Sequence, residues 1–272
     1  MRSHTLNAER LQERLSPCRF ARKVMAFDSI DSTNTFAMKL FGGKVAEDTL
    51  VIAERQTAGR GRFARKWEGA AGKSLLFSLP LCPSAPSAVW SFLPMATAVA
   101  IAEALDEFRL AESAGIKWPN DVTVRGKKIC GILSETASRK RKQVGVVLGV
   151  GVNVNQVEED FPAELRASAT SVRIESQSEE VDRIALLRAL LLRFEEDYEL
   201  FNAGEMGREA LRKLWRQRST TLGKHLSMKV GGRTLRGTAL DLDLEGALLF
   251  QVAGGAPQRL TAGEVEELKW EE

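Results

Sequence analysis

Four apolar runs at 115–118, 122–124, 129–135 and 144–154 follow one another with only turn signals between them, Arg125-Gly126 and a charged stretch at 138–142. Connections this short join antiparallel strands, because a parallel crossover needs a dozen or more residues. Further strand patterns lie at 24–27, 50–53 and 75–79. Helical patterns lie at 33–41, capped by Asp31 or Ser32 and ended by Gly42-Gly43, and at 87–108, 181–201 and 207–216. The 87–108 pattern is the longest, with a bend or a late true start at Pro94. Together they predict an α+β fold, a mixed β-sheet with helices covering one face. After His225, short alternating runs punctuated by Gly231-Gly232, Gly246 and Gly254-Gly255 predict a small SH3-like β-barrel. The expected division is an N-terminal extension at 1–23, a main domain at 24–216 and the barrel at 217–272. In the extension, Leu6, Leu11 and Leu15 form one face of a brief helix ended by Pro17. The stretch 158–178 reads as a mobile polar loop.

Composition narrows the function. A formal charge of +3 on 272 residues is too small to make nucleic acid the main partner. The three cysteines, Cys18, Cys82 and Cys130, form no C-x-x-C pair, which argues against a disulfide framework or a structural metal and suits a reducing compartment. With only two histidines, His4 and His225, a histidine-based triad or metal centre is not expected. The first sixteen residues lack a signal-peptide core, and no apolar run reads as long enough to span a membrane, so the expected location is the cytoplasm.

The run Gly59-Arg60-Gly61-Arg62-Phe63-Ala64-Arg65-Lys66-Trp67 follows the 50–53 strand. Its guanidinium forks suit phosphate or carboxylate, and its glycines let the backbone approach a ligand. Gly59-x-Gly61-x-x-Ala64 is not a dinucleotide fingerprint, since no apolar helix opens after it. Gly69-Ala70-Ala71-Gly72-Lys73-Ser74 is two residues short of a P-loop and precedes a strand.

Downstream come Lys117-Trp118-Pro119-Asn120-Asp121 and Lys127-Lys128-Ile129-Cys130-Gly131. These segments, in this order after the Gly/Arg loop, resemble the biotin protein ligases, and the resemblance extends from about Asp28 to the C-terminus. It implies a class II synthetase-like catalytic core. It also implies activation of biotin with ATP and Mg²⁺ and transfer to a lysine of a biotin carboxyl carrier protein of acetyl-CoA carboxylase, without a tightly bound structural metal. Ser32, Thr33 and Asn34 then match the segment that touches the biotin ureido ring, although the tripeptide alone reads as a plain helix cap. Gln56, Arg60, Gly61, Arg62, Lys128, Gly131, Gly149 and Gly151 match the remaining biotin contacts. Arg60, Arg62, Arg65, Trp67, Asn120, Lys128 and Asn153 fall to ATP, and Asn120 to Mg²⁺ carried with it. Trp67 reads equally well as packing, and the glycine-rich 149–155 strand as packing glycines.

The resemblance makes Lys128, Arg62 and Asp121 catalytic, with Asp121 the candidate base for the incoming lysine. Phe63 and Ala64 depart from the family pattern, which often has arginine and glycine there. The extension is too short for the winged helix-turn-helix domain that some members carry, so DNA binding is not expected. A lipoate or octanoate ligase or transferase of the same fold and a non-catalytic binding module are the alternatives. The first leaves Ser32, Thr33 and Gln56 without a purpose. The second predicts no biotin-dependent ATP–pyrophosphate exchange.

Overall fold

The computed structural model describes residues 6–41, 47–139 and 142–270. The expected helix stop at Gly42-Gly43 and the centre of the 138–142 turn lie outside them. A seven-stranded sheet contains β1 (Lys23–Phe27), β2 (Thr49–Ala53), β3 (Ser74–Leu81), β4 (Gly115–Lys117), β5 (Asp121–Val124), β6 (Lys127–Arg139) and β7 (Lys142–Asn153), in the order β1-β2-β3-β7-β6-β5-β4. Among the described strands only β1 and β2 pair in parallel, so the sheet is mixed, and β4 to β7 form the successive hairpins that their short connections dictate.

Alternation along β7 divides the two faces. Val146, Leu148, Val150 and Val152 belong to the main core, with α3 (Leu93–Asp106) and α5 (Arg183–Asn202). Val147 packs on the opposite face with Ala37 and Phe41, at the end of α2 (Thr33–Leu40). Gly149 and Gly151 share the parity of Val147. The helices therefore cover one face, and the other carries one short helix and an open floor.

Two helical expectations change. Ser87–Phe92 is a 3₁₀ turn and α3 begins at Leu93, so Pro94 marks a late start, where a missing N–H costs nothing. The longest helix is α5, at 20 residues. The stretch Ser87–Asp106 passes for a membrane span by length and composition alone, but 72% of it is buried inside the protein, as in the core helix of a globular fold. Its side chains are spent on the core, where small alanines let α5 pack closely.

The 158–178 stretch is a packed strap. Phe161, Thr170, Ser171, Val172 and Glu175 are buried, and α4 (Val172–Ser176) lies within it. Its backbone bonds directly to β6, Lys128 N–H to Ser168 O at 2.7 Å and Thr170 N–H to Lys128 O at 2.9 Å. The N-terminal segment is built in as well. Leu11 and Leu15, on and just after α1 (Ala8–Arg14), and Phe20 are fully buried, worth roughly 1.5–3 kcal/mol each.

After α6 (Glu205–Arg218) comes a curled antiparallel sheet of β8 (His225–Val230), β9 (Arg233–Leu242), β10 (Leu248–Val252), β11 (Pro257–Leu260) and β12 (Val265–Trp270), ordered β11-β10-β9-β8-β12. Its apolar face, with Leu226, Met228 and Phe250, runs into the main core. The expected boundary at 216 falls in the last turn of α6.

One buried charge on α5 has a measurable consequence. Burial pushes the Asp197 carboxyl up to about 7, Glu103 and Glu196 add to this, and Arg193 opposes it. The folded state thus binds a proton that the unfolded chain has released, so stability falls as pH rises from about 4 to 7. Asp197→Asn is expected to be more stable than the parent by roughly 2–4 kcal/mol at pH 8 and to lose that advantage near pH 4. Urea melts at the two pH values measure the difference.

Candidate active site

Two glycines on the open floor let Asn34 and Trp67 lie against β7 and wall a cavity. A Cβ on Gly149 would lie 2.0 Å from Asn34 Oδ1, and one on Gly151 would lie 2.4 Å from the Trp67 ring. Asn34 and Trp67 therefore sit directly on β7. The cavity of about 200 Å³ is lined by α2, the Gly/Arg loop, the 117–121 segment, β6, β7 and β12. It is smaller than the roughly 300–1,000 Å³ of most small-molecule sites.

One end is densely hydrogen-bonded and without net charge, its only charges the Arg60–Glu135 pair among the described residues. Ser32 caps α2, and Ser32, Thr33 and Asn34 are buried. Gln56 Oε1 accepts from the Thr33 N–H at 2.7 Å and from its hydroxyl at 3.1 Å. The Ser78 hydroxyl lies 2.7 Å from Thr33 Oγ1 and 2.6 Å from Asn34 Oδ1. Asn34 Nδ2 donates to Glu135 at 2.9 Å, and Glu135 also pairs with Arg60 at 2.9 Å. Ser78 and Glu135 escaped the sequence reading, yet both had a signal. Ser78 is a polar residue inside a fully buried strand, and Glu135 shares the parity of Gly131 and Leu133 on β6.

The other end is cationic. Lys128 Nζ lies 2.6 Å from Asp121 Oδ1 and 5.3 Å from the centre of the Trp67 ring. It stands 3.0 Å from where a Cβ on Gly131 would be, so that glycine leaves the lysine its place. Arg62 Nη1 donates to Asn120 Oδ1 at 3.4 Å, and Asn120 is fixed by its Nδ2–H to Ile132 O at 2.7 Å. Burial lowers the Arg62 pKa, Asp121 opposes that and Arg65 adds to it. Trp67 Nε1–H is buried against Gly151 without a hydrogen-bond partner among the described residues.

The loop is a tight hairpin, with Gly61 N–H to Arg65 O at 2.7 Å and Trp67 N–H to Gly59 O at 3.0 Å. Phe63 and Ala64 both adopt positive φ, 54° and 56°. Non-glycine residues there cost about 1–2 kcal/mol each. Trp118 ties the 117–121 segment to the C-terminal part, through its N–H to Thr221 Oγ1 at 2.9 Å and its Nε1–H to Gly246 O at 3.1 Å.

All but one of the expected site residues line this cavity: Ser32, Thr33, Asn34, Gln56, Arg60, Gly61, Arg62, Arg65, Trp67, Asn120, Asp121, Lys128, Gly131, Gly149 and Gly151. Asn153 does not. It has the right parity on β7, but the strap folds over it, and its amide bonds to Thr170 O at 3.0 Å and Gln156 Nε2 at 3.1 Å. A resident metal does not fit the donor set, because Asn120 offers one amide oxygen facing Arg62 and Asp121 is paired with Lys128. Among the described residues no cluster of three His, Cys, Asp or Glu side chains is placed to hold an ion.

Comparison with known proteins agrees with this geometry. The family model described as biotin/lipoate A/B protein ligase matches residues 26–153, and that of the biotin protein ligase C terminal domain matches 221–266. The chain is 36% identical over 228 residues to the bifunctional ligase/repressor BirA of Bacillus spizizenii, covering 84% of this chain and 69% of that protein. It is 35% identical over 234 residues to the biotin–acetyl-CoA-carboxylase ligase of Mycobacterium tuberculosis, covering 84% and 82%. The structure of the Aquifex aeolicus biotin protein ligase in complex with biotin and ATP matches with a TM-score of 0.78 at 28% identity, covering 92% of this chain and all of that one.

Proposed function

This chain belongs to the biotin protein ligases, and from that premise we propose that it converts biotin and ATP to biotinyl-5′-AMP and moves the biotinyl group to one lysine of a biotin carboxyl carrier protein of acetyl-CoA carboxylase. The observation that carries this reading is the two-ended cavity. Its neutral end presents hydroxyls, amides and a helix N-terminus, which suit a ureido ring with both donors and acceptors. Its cationic end, with Lys128 and Arg62, suits a carboxylate meeting a phosphate.

In the first half-reaction a biotin carboxylate oxygen attacks the α-phosphorus of ATP, and the bond to the pyrophosphate oxygen breaks. Both reactants are anions, so the approach needs converging cations. Lys128, held by Asp121 and the face of Trp67, and Arg62, held beside Asn120, supply fixed charge where it develops on phosphorus. Mg²⁺ carried with the nucleotide would offset phosphate charge, and the Asn120 side-chain oxygen is a hard donor that would suit it. The mixed anhydride hydrolyses in water, so the Gly/Arg hairpin closes over it.

In the second half-reaction the carrier amine attacks the anhydride carbonyl carbon and AMP leaves. Near pH 7 only about one lysine in a few thousand is neutral. Asp121 is the carboxylate at the cationic end and takes the amine proton. The carrier docks by strand addition. Here β5 pairs with β6 only as far as Gly131, and past the Asn120 bonds to Ile132 no strand covers that edge among the described residues. Cys18, Cys82 and Cys130 are unpaired, which supports a reducing, cytoplasmic setting.

The test is ATP–pyrophosphate exchange with biotin, lipoate and octanoate in turn. Exchange with biotin alone is expected. Exchange with lipoate or octanoate alone moves the chain to the sister ligase activity, and no exchange with any acid leaves an acyl transferase that uses no ATP or a binding module.

A further inference from the structure

The loop arginines are gripped from behind by the C-terminal sheet. Arg62 Nη2 donates to the carbonyls of Ala262 and Val265, the latter at 2.8 Å, and Arg65 Nη2 donates to Glu266 O at 3.0 Å. These acceptors lie on the 261–264 turn and the first residues of β12, some 200 positions away in sequence. Two features shape that stretch. Glu264 buckles the turn, its Oε2 accepting from the Thr261 N–H at 2.8 Å and the Thr261 hydroxyl at 2.6 Å. In addition, β12 bulges against β8, with Val265 opposite Val230 and Glu267 opposite Lys229, so that Glu266 is the extra residue. Carbonyls of successive residues in a regular strand point to opposite sides. The bulge re-aims them, so that Val265 and Glu266 both serve the loop.

The chemistry of this grip matters. A guanidinium has five donors, so one carrying three bonds to Ala262, Val265 and Asn120 still has donors for a ligand, and Arg62 does line the cavity. Carbonyls orient a cation without cancelling its charge, which a carboxylate in the same place would do. Of the two carboxylates on this stretch, that of Glu264 is committed to Thr261 and that of Glu266 pairs with Lys229 at 3.5 Å.

We propose that the 261–266 turn and bulge aim Arg62 at the reacting phosphate, with Thr261 and Glu264 as positioning residues that act through Arg62. This rests on the reading of Arg62 as the adenylate clamp. The test uses the full chain with Thr261→Val, and with Thr261→Ser as the conservative variant. Thr261→Val is expected to slow biotinyl-5′-AMP formation at saturating biotin and ATP by about 5–20-fold and to speed escape of free biotinyl-5′-AMP. Biotin affinity should stay within about two-fold, because the neutral end is untouched, and serine should restore the rate. Glu264→Gln gives the same pattern at smaller amplitude and stands in if the valine variant does not fold. In an Arg62→Ala background, Thr261→Val should change the rate less than two-fold. If Arg62→Ala alone adenylates and retains the intermediate like the parent, the clamp reading fails and the proposal with it. If Arg62→Ala is impaired but Thr261→Val is not, or if the Thr261→Val defect persists undiminished without Arg62, the turn is structural only and the proposal is overturned while the clamp stands.

Discussion

Lys128→Met is expected to slow biotinyl-5′-AMP formation by about 10²–10³-fold, the loss that follows removal of one preorganised charge donor at a reacting centre. Methionine keeps the apolar stem that passes Gly131 and Trp67 and removes only the ammonium. Folding should change little, because the Lys128–Asp121 pair is partly exposed on both sides and such pairs contribute about 1 kcal/mol or less. Rapid-quench measurement of biotinyl-5′-AMP at saturating substrates isolates the step. When biotinyl-5′-AMP is supplied ready-made, the variant should label the carrier within about ten-fold of the parent, because the charge that Lys128 offsets develops in the first half-reaction. An unchanged quench rate removes Lys128 from the chemistry. Equal loss in both half-reactions makes it a general ligand for the intermediate.

The ease with which Lys128 was found in the sequence contrasts with the obscurity of its surroundings. The hairpins from Gly115 onward were legible because one face of each strand is buried and the residues alternate accordingly. The same alternation brings Gly149 and Gly151 to the floor, while Asn153, of equal parity, stops short of the cavity. Whether a residue on the correct face reaches the ligand depends on what folds over it, and the polar composition of the strap concealed that Thr170, Ser171 and Glu175 are buried. The path of the Gly/Arg loop was illegible for a related reason. Phe63 and Ala64 have no intrinsic preference for positive φ, and the conformation is imposed by contacts such as Arg62 to Val265, made with a strand that the local sequence knows nothing of. The charges on α5 are a third case. Arg183 and Asp197 lie on the buried side of an otherwise ordinary amphipathic pattern, and nothing in that pattern names their partners.

Arg183 has the largest expected effect on stability. Its guanidinium donates to both oxygens of Glu54, at 2.8 and 3.0 Å, and to Ser74 O at 3.0 Å, while the Leu6 N–H adds a further donor to Glu54 at 2.7 Å. The arginine is 4% exposed, so water cannot replace it. Arg183→Met leaves the Glu54 carboxylate, 12% exposed, with one backbone donor, and breaking such a largely buried pair costs about 3–5 kcal/mol. Urea or thermal unfolding of the purified variant measures this. The double variant Arg183→Met with Glu54→Met removes both charges and should recover most of the loss, since apolar replacement of a whole buried pair is often near neutral. If the double variant is as unstable as the single one, the loss comes from packing and not from the stranded charge. The pair also bears on the site. Glu54 is two residues before Gln56, whose side chain takes both Thr33 donors, so a stranded Glu54 should loosen the neutral end of the cavity. At a temperature where Arg183→Met is still folded, the KM for biotin should rise several-fold while kcat for adenylation stays near the parent value. That split separates a distorted ureido end from damage at Lys128 and Arg62, which would lower kcat first.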